Sequence, residues 1–373
     1  MGLSEVRMTE SPDGGLPSVL ETAVGERTVP GAALAFGVRD RVLGQFVVGA
    51  AELGPAGPRP LTPGTLFDLA SLTKVLATAP AVLALHEGGS LSLSDPLGRY
   101  VPAFAGPGRD AIRLRHLLMH TAGLRGSRQF HLSCSTPAEL VPAVVREPLV
   151  GVPGRQVVYS DLGFLLLGEV VAVVTGWSLD KACDALLYRP LGLVHTAFRP
   201  ADRLPGAPLA ATTEPDAEPA AGAPHDRNAR LAGGVAGHAG LFSTIGDVAH
   251  YAAWWAGDGH GPLSPATRAE AMRCHTAALD GRRGHGWVAR GDTADFLDGA
   301  WSGAAVTHTG FTGTSIAVDP ERGWWLCLLT NAIHLGRHRA EVAALRTLVH
   351  HLAAPTLAAA TEAAGGRPTD RRS

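Results

Sequence analysis

The chain has 373 residues, of which 46% are hydrophobic and 18% charged, and its formal net charge is −2. This composition is typical of a globular protein and argues against a disordered one. The near-neutral charge, without a basic run, argues against a nucleic-acid partner. The four cysteines are isolated in the sequence, which predicts free thiols in a reducing compartment.

Residues 1–15 are expected to form a flexible N-terminus. They carry three acidic residues and lack the apolar region of a signal peptide. No apolar run in the chain is long enough to span a bilayer. The sequence therefore predicts a cytoplasmic protein with no membrane partner.

Strand-like segments occur at the two ends of the chain. Residues 31–38 and 42–50 are joined by a polar turn, which predicts a hairpin. Residues 315–319 and 324–329 form a second predicted hairpin, whose turn contains Pro and Gly. Helical periodicity, broken by Pro and Gly loops, dominates between these ends.

The predicted fold class is α/β (α+β), with an antiparallel sheet built from both chain ends and flanked by helices. A large helical subdomain is inserted between the two halves of the sheet. In residue terms, 16–90 and 300–354 form the α/β subdomain, and 91–299 form the mainly helical one. Residues 355–373 are predicted to be a disordered tail.

The stretch from Phe67 to Lys74 leads into a helix with almost no polar face, which extends to about Glu87. Ser71 and Lys74 are three residues apart and share one face of that helix. A lysine drawn into an apolar helix loses solvation, which favours its neutral form. Because a neutral amine beside a hydroxyl is a base beside a nucleophile, Ser71 and Lys74 are candidate catalytic residues.

Only two of the 32 lysines and arginines are lysines, Lys74 and Lys181. Lys181 also follows a serine by three residues, but Ser178 and Lys181 open an amphipathic helix in which Lys181 is flanked by aspartates. We interpret this second pair as structural, with Ser178 as a helix N-cap.

Two other stretches offer polar groups to a cleft. Tyr159 opens the sequence Tyr-Ser-Asp before a second apolar helix, where it could relay protons or simply pack as an aromatic side chain. The segment 307–314 precedes a late strand, and its glycines would let a ligand approach the backbone. The alternative for this segment is an ordinary start of a strand.

These three stretches, in this order, resemble the motifs of the penicillin-recognising serine enzymes. The resemblance is to the branch that holds class C β-lactamases, D,D-peptidases, D-aminopeptidases and β-lactamase-like esterases. Residues 117–124, with the sequence Leu-Leu-Met-His-Thr-Ala-Gly-Leu, resemble a further motif of this branch, as do residues 236–244. The resemblance extends from about Pro30 to Leu352.

The resemblance implies roles for individual residues. Ser71 would be the acylated nucleophile, Lys74 its base or proton relay, and Tyr159 would share the proton transfer. His308 would replace the lysine of the family's Lys-Thr-Gly motif. The backbone N–H groups of Ser71 and Phe311 would form the oxyanion hole.

Four residues are candidates for substrate binding: Asp161, Thr309, Gly310 and His238. Asp161 stands where the family usually has asparagine, and a carboxylate cannot donate a hydrogen bond to a substrate carbonyl. It could instead hold Lys74, receive a substrate amine or cap the following helix. His238 could contact substrate, although its neighbouring glycines could equally form only a turn.

The histidine at position 308 predicts a site without a permanent cation. We therefore expect poor β-lactam hydrolysis and better turnover of neutral or amine-bearing substrates. Since histidine titrates near neutrality, any carboxylate binding is expected to strengthen as the pH falls.

The sequence thus predicts a serine hydrolase that uses no cofactor and no metal and acts on a small-molecule ester or amide, or on a peptide, through an acyl-enzyme on Ser71. One alternative is an acyltransferase of specialised metabolism, in which an amine or alcohol replaces water. Another is a catalytically silent ligand-binding module with the same fold. The oligomeric state is not predicted.

Overall fold

The computed structural model describes residues 15–213, 222–336 and 339–365. The predicted flexible N-terminus, apart from Gly15, lies outside the described residues.

The strands of the described chain form two antiparallel sheets. In chain order, they are β1 Gly31–Val38, β2 Arg41–Gly54, β3 Gly57–Pro60, β4 Phe67–Asp68, β5 Ala197–Phe198, β6 Leu241–Ser243, β7 Val288–Ala289, β8 Val306–Thr309, β9 Ser315–Asp319 and β10 Trp324–Thr330. The large sheet has seven strands in the order β3-β2-β1-β10-β9-β8-β7, and the small one has the order β4-β6-β5.

The large sheet joins the two ends of the chain. Strand β1 pairs antiparallel with β10, in a register that runs from Ala32 opposite Thr330 to Val38 opposite Trp324. Both predicted hairpins are present, because β1 pairs with β2 and β9 pairs with β10. The predicted antiparallel sheet built from both chain ends is confirmed.

The helices are α1 Leu16–Gly25, α2 Ala79–Glu87, α3 Leu114–Leu118, α4 Pro137–Arg146, α5 Asp161–Thr175, α6 Leu179–Cys183, α7 Arg189–Leu191, α8 Pro200–Arg203, α9 Arg227–Leu231, α10 Ile245–Ala256, α11 Pro265–Met272 and α12 Arg339–Gly365. Two π-helical segments, Lys74–Thr78 and Asp184–Tyr188, precede α2 and α7. The 3-10 turns are Ala70–Leu72, Leu97–Arg99, Pro102–Phe104, Phe130–Leu132 and Ala332–Leu335.

Both faces of the large sheet are buried at its central strands, which explains the continuous apolar runs of β1 and β10. Side chains alternate between the faces with the period of two expected for a strand. Leu34 and Phe36 lie on the face covered by α1 and α12, whereas Ala33 and Ala35 lie in the core on the opposite face, against which α10 packs. That second core continues into the helical part of the chain and surrounds the segment that follows Ser71.

The C-terminal helix differs from the prediction of a disordered tail over residues 355–373. Helix α12 continues through Pro355 to Gly365, and residues 366–373 lie outside the described part of the chain. Leu357 is fully buried against the sheet, and Trp324 Nε1 donates a 2.8 Å hydrogen bond to Thr361 Oγ1. The prediction began the tail at Pro355, but contacts with the sheet hold the helix together beyond this residue.

Within the described residues, no single helix is both long and apolar enough to cross a membrane. Only a pair of helical segments taken together, Asp161–Thr175 and Leu179–Leu191, meets that test of length and composition, and the two are bent by 73°.

Candidate active site

Ser71 lies on a strained turn between β4 and the buried helix. The preceding residue, Ala70, has a φ of +48°, which an L-residue adopts only when its surroundings enforce it. Asp68 Oδ1 accepts a 2.8 Å hydrogen bond from the Ala70 N–H and so fixes this turn. The turn leaves Ser71 partly exposed, whereas Ala70 and Leu72 on either side are buried.

Lys74 lies directly beneath Ser71 and has no exposed surface. Its Nζ atom lies 3.0 Å from Ser71 Oγ and 3.1 Å from the backbone oxygen of His238. It also forms an ion pair of 2.8 Å with Asp161 Oδ1. The structure therefore brings together Ser71, Lys74 and Asp161, which the sequence placed on two different helices.

The charge of Lys74 is the opposite of the sequence expectation. Burial alone lowers the pKa of the ammonium, but Asp161 and Tyr159 outweigh burial, and the pKa is raised above its usual value. Lys74 is therefore charged at rest and not the neutral amine that the apolar helix predicted. The sequence argument counted desolvation alone, because Asp161 reaches Lys74 only in the folded chain.

Asp161 is placed by the local structure of α5. The Ser160 side chain caps this helix by accepting a hydrogen bond from the Gly163 N–H. Asp161 is thus the first residue of the helix and is free of the capping role that the sequence left open for it. Its carboxylate is directed to Lys74.

Tyr159 lies on the other side of Lys74 and is held in place by His120. The Tyr159 ring centre is 4.9 Å from Lys74 Nζ and 4.6 Å from the His120 ring centre. His120 Nδ1 accepts a 3.0 Å hydrogen bond from the Ser160 N–H. Burial, reinforced by the charge of Lys74, holds the pKa of His120 well below its usual value, so His120 is a neutral support.

The turn between β8 and β9 packs directly on the turn that carries Ser71. Thr312 Oγ1 donates a 2.8 Å hydrogen bond to the Asp68 backbone oxygen, and Thr314 Oγ1 donates one of 3.2 Å to that of Leu69. At Gly310, a Cβ atom would lie only 2.6 Å from the Leu69 oxygen. The two segments that carry the predicted oxyanion-hole residues are thus fixed against each other.

His308 is buried behind this turn, with 2% of its surface exposed. Its Nδ1 atom lies 3.0 Å from the Thr309 backbone oxygen, so a neutral imidazole can donate there. Burial, followed by the charges of Lys74 and Arg283, lowers the pKa of His308 to about 3. The expectation that His308 titrates near neutrality is therefore wrong, because it ignored the burial of the ring and the nearby cations.

His238 reaches the site through its backbone and not through its ring. The side chain is 1% exposed, and Nε2 lies 3.0 Å from Asp226 Oδ1, while the backbone oxygen accepts from Lys74. Burial alone would raise the pKa of Asp226, but His238 outweighs it and holds that pKa below the usual range. The predicted substrate contact by the His238 ring is replaced by this buried pair.

The role of Asp68 was missed by sequence reasoning, which had offered His225 and Asp226 only as possible substrate contacts beside His238. Asp68 is buried, and Oδ2 accepts a 2.7 Å hydrogen bond from the His225 N–H. The His225 ring stacks on Phe311, with ring centres 4.9 Å apart. The sequence signal that could have identified Asp68 was a carboxylate within the apolar run Phe67-Asp68-Leu69, since a buried charge requires partners.

A cavity of about 290 Å³ opens over Ser71. Five of the predicted site residues line it: Ser71, Tyr159, Thr309, Gly310 and Phe311. The other lining residues are Gly313, Ala332, Ile333, Gly336, Val342 and Arg346. Lys74, Asp161, His308 and His238 do not belong to this lining.

The second Ser-x-x-Lys pair lies on the surface. Ser178 and Lys181 are both exposed, and the Ser178 hydroxyl makes no capping hydrogen bond to the backbone of α6.

Over residues 15–213, 222–336 and 339–365, no group of three or more His, Cys, Asp or Glu side chains is arranged to hold a metal ion.

Comparisons with known proteins agree with this geometry. A sequence model of the Beta-lactamase family matches residues 16–351. A protein of Escherichia coli (strain K12) named "Putative D-alanyl-D-alanine carboxypeptidase" is 33% identical over 311 residues, which cover 74% of this chain and 71% of the relative.

Solved structures show the same fold. The structure of SurE with D-Leu is 25% identical, with a TM-score of 0.66, and the match covers 90% of this chain and 75% of that one. EstCE1, described as a hydrolase with promiscuous acyltransferase activity, is 22% identical with a TM-score of 0.72, and the match covers 91% of this chain and 98% of that one.

Proposed function

The chain belongs to the beta-lactamase family of serine hydrolases, and on this premise we propose that it is a peptidase that releases the C-terminal D-amino acid of short peptides. The observation that carries the proposal is the position of Lys74 Nζ, which lies 3.0 Å from Ser71 Oγ and 2.8 Å from Asp161 Oδ1. A buried ammonium held in this way lowers the energy of negative charge on Ser71 Oγ.

The proposed acylation step uses Tyr159 as the proton relay. Ser71 Oγ attacks the carbonyl carbon of the scissile amide, and the negative charge on the carbonyl oxygen is met by the N–H groups of Ser71 and Phe311. Because Lys74 is already protonated, Tyr159 accepts the Ser71 proton and passes its own phenolic proton to the leaving nitrogen. The C–N bond then breaks, and the acyl group remains on Ser71 as an ester.

The second step reverses this relay with water. Water attacks the ester carbonyl, its proton passes through Tyr159 to Ser71 Oγ, and the carboxylic acid leaves. An amine in the same position would give acyl transfer instead of hydrolysis. Hydrolysis and transfer therefore differ only in the nucleophile that reaches the acyl-enzyme.

The substrate class is supported by the named relatives. The relative that is 33% identical bears the name of a D-alanyl-D-alanine carboxypeptidase, and SurE was solved with D-Leu. Both names concern D-amino acids. The small cavity over Ser71, about 290 Å³, suits a short side chain next to the scissile bond.

The test is to measure the release of D-alanine from an acetylated peptide ending in D-Ala-D-Ala, beside the same peptide ending in L-Ala-L-Ala. We expect turnover of the first alone, and its loss in Ser71→Ala. Turnover of neutral aryl esters without release of D-alanine would reject the peptidase and keep a hydrolase. Transfer of the acyl group to an added D-amino acid at the expense of hydrolysis would favour an acyltransferase.

A further inference from the structure

Phe311, whose backbone N–H is one of the two proposed oxyanion-hole donors, lies in the turn between β8 and β9. Its side chain is 43% exposed, so much of the ring lies outside the core. The ring stacks on that of His225, with the ring centres 4.9 Å apart and the planes 13° from parallel. Because His225 comes from the segment just before α9, a distant part of the chain supports the side chain of a proposed donor residue.

The backbone of His225 is anchored to the same carboxylate that fixes the turn of Ser71. Asp68 Oδ2 accepts a 2.7 Å hydrogen bond from the His225 N–H, and Oδ1 accepts one of 2.8 Å from the Ala70 N–H. Asp68 is only 3% exposed, so water competes little for these two hydrogen bonds. One buried carboxylate therefore ties the His225 backbone to the residue that precedes Ser71.

The residue after His225 is anchored to the site as well. Asp226 Oδ1 accepts a 2.7 Å hydrogen bond from the Ala229 N–H and lies 3.0 Å from His238 Nε2. The backbone oxygen of His238 in turn accepts a 3.1 Å hydrogen bond from Lys74 Nζ. The segment that presents the His225 ring is therefore fixed to the surroundings of the nucleophile at two successive residues.

An oxyanion hole is effective only when its donors are aimed in advance at the developing charge. The turn that carries Phe311 contains Gly310 and Gly313, and glycine allows the backbone more conformations than other residues do. We propose that His225 is a positioning residue, which stacks on the Phe311 ring and thereby holds the Phe311 N–H in the oxyanion hole. The inference rests on the proposed function and deepens it, since it concerns the acylation step and not the identity of the acyl group.

The test measures acylation by stopped flow with para-nitrophenyl acetate, a neutral ester, and with its thiono analogue, in which sulfur replaces the carbonyl oxygen. Sulfur is a weak hydrogen-bond acceptor, so the ratio of the two acylation rates reports on the oxyanion hole. The variants are His225→Ala, His225→Phe, Phe311→Ala and the double variant with alanine at both positions. His275→Ala is the matched control, because the His275 ring stacks on His285 with centres 4.3 Å apart, and neither residue lines the cavity over Ser71.

We expect His225→Ala to lower the maximal acylation rate roughly 3–10-fold, the effect of losing one aromatic stack, with little change in the half-saturating ester concentration. The preference for the oxygen ester over the thiono ester should fall by a similar factor, because the donor is present but less well aimed. His225→Phe should restore both quantities. The double variant should lose no more than Phe311→Ala alone, and His275→Ala should match the wild type.

Unchanged acylation in His225→Ala would overturn the inference. So would a His225→Phe variant as impaired as His225→Ala, since the imidazole and not the stack would then be required. Additive losses in the double variant would show that His225 acts independently of Phe311, which also overturns it. The two proposals fail separately: a protein that releases no D-alanine but shows the expected ester results would reject the peptidase and uphold this role of His225.

Discussion

Asp68 links the turn that carries Ser71 to the segment that carries His225. We expect its protonation to control the folding stability of the protein in mildly acidic solution. Burial raises the pKa of Asp68 from 3.8 to about 6, although hydrogen bonds from the His225 and Ala70 N–H groups oppose the rise. A rise of this size corresponds to about 3 kcal/mol of differential stability. The folded state binds the proton more tightly than the unfolded state, so this stability is present below pH 3.8 and is lost as the pH rises to about 6.

The perturbation that tests this linkage is Asp68→Asn, which removes the titrating group at nearly constant volume. Asparagine can accept from only one of the two N–H groups, so a pH-independent loss of about 1–3 kcal/mol is expected as well. The assay is the free energy of urea unfolding of both proteins from about pH 4 to about pH 7. Relative to the variant, the wild type should lose up to about 3 kcal/mol as the pH rises over this range.

Asp226→Asn is a control from the same site. The pKa of Asp226 is depressed, so its ionised form contributes stability above the unfolded pKa of 3.8 and loses it only in stronger acid. The wild type should therefore lose stability relative to Asp226→Asn as the pH falls below about 4, which is the opposite trend to that expected for Asp68 between about pH 4 and about pH 7. A constant difference between wild type and Asp68→Asn over the same range would refute the account of Asp68.

Lys74→Arg should lower the acylation rate by roughly 10²-fold or more while the protein stays folded. The larger, planar guanidinium cannot replace the compact ammonium in this fully buried position, and stopped-flow measurement of acylation is the check. When KM for a carboxylate substrate is measured against pH, it should show no inflection from His308 near neutrality, because the pKa of His308 is about 3. An inflection in the wild type that disappears in His308→Gln would contradict this expectation. Gly310→Ala should reduce acylation by roughly 10²–10³-fold, the effect of losing an oxyanion-hole donor, because its Cβ would lie 2.6 Å from the Leu69 oxygen. Gly299→Ala, where nothing lies within 4 Å of the new atom, should match wild type in the same assay.

The sequence predicted the fold well where local pattern determines structure. The apolar runs at 31–38 and 315–319 are strands with these same bounds, because both faces of the sheet are buried at these two strands. The helix after Ser160 was visible from its apolar length, although the sequence offered Asp161 as its cap and the structure shows Ser160 in that role. The prediction of a disordered tail was wrong for residues 355–365, because contacts between α12 and the sheet are not visible in a local sequence pattern.

The site was predictable in residue identity but not in charge. Ser71 and Lys74 were recognisable because their spacing is local to one helix. The raised pKa of Lys74 depends on Asp161, which is distant in sequence, and the low pKa of His308 depends on burial by the whole fold. Arg346 carries no motif and enters the cavity only because α12 packs beside β10.

The most direct test of the central claim is intact-protein mass spectrometry after reaction with an activated acyl ester, followed by peptide mapping. The account predicts a single acyl adduct on Ser71, which is absent from Ser71→Ala and retained in Ser178→Ala. An adduct on Ser178, or on the Ser71→Ala protein, would contradict the assignment of Ser71 as the nucleophile.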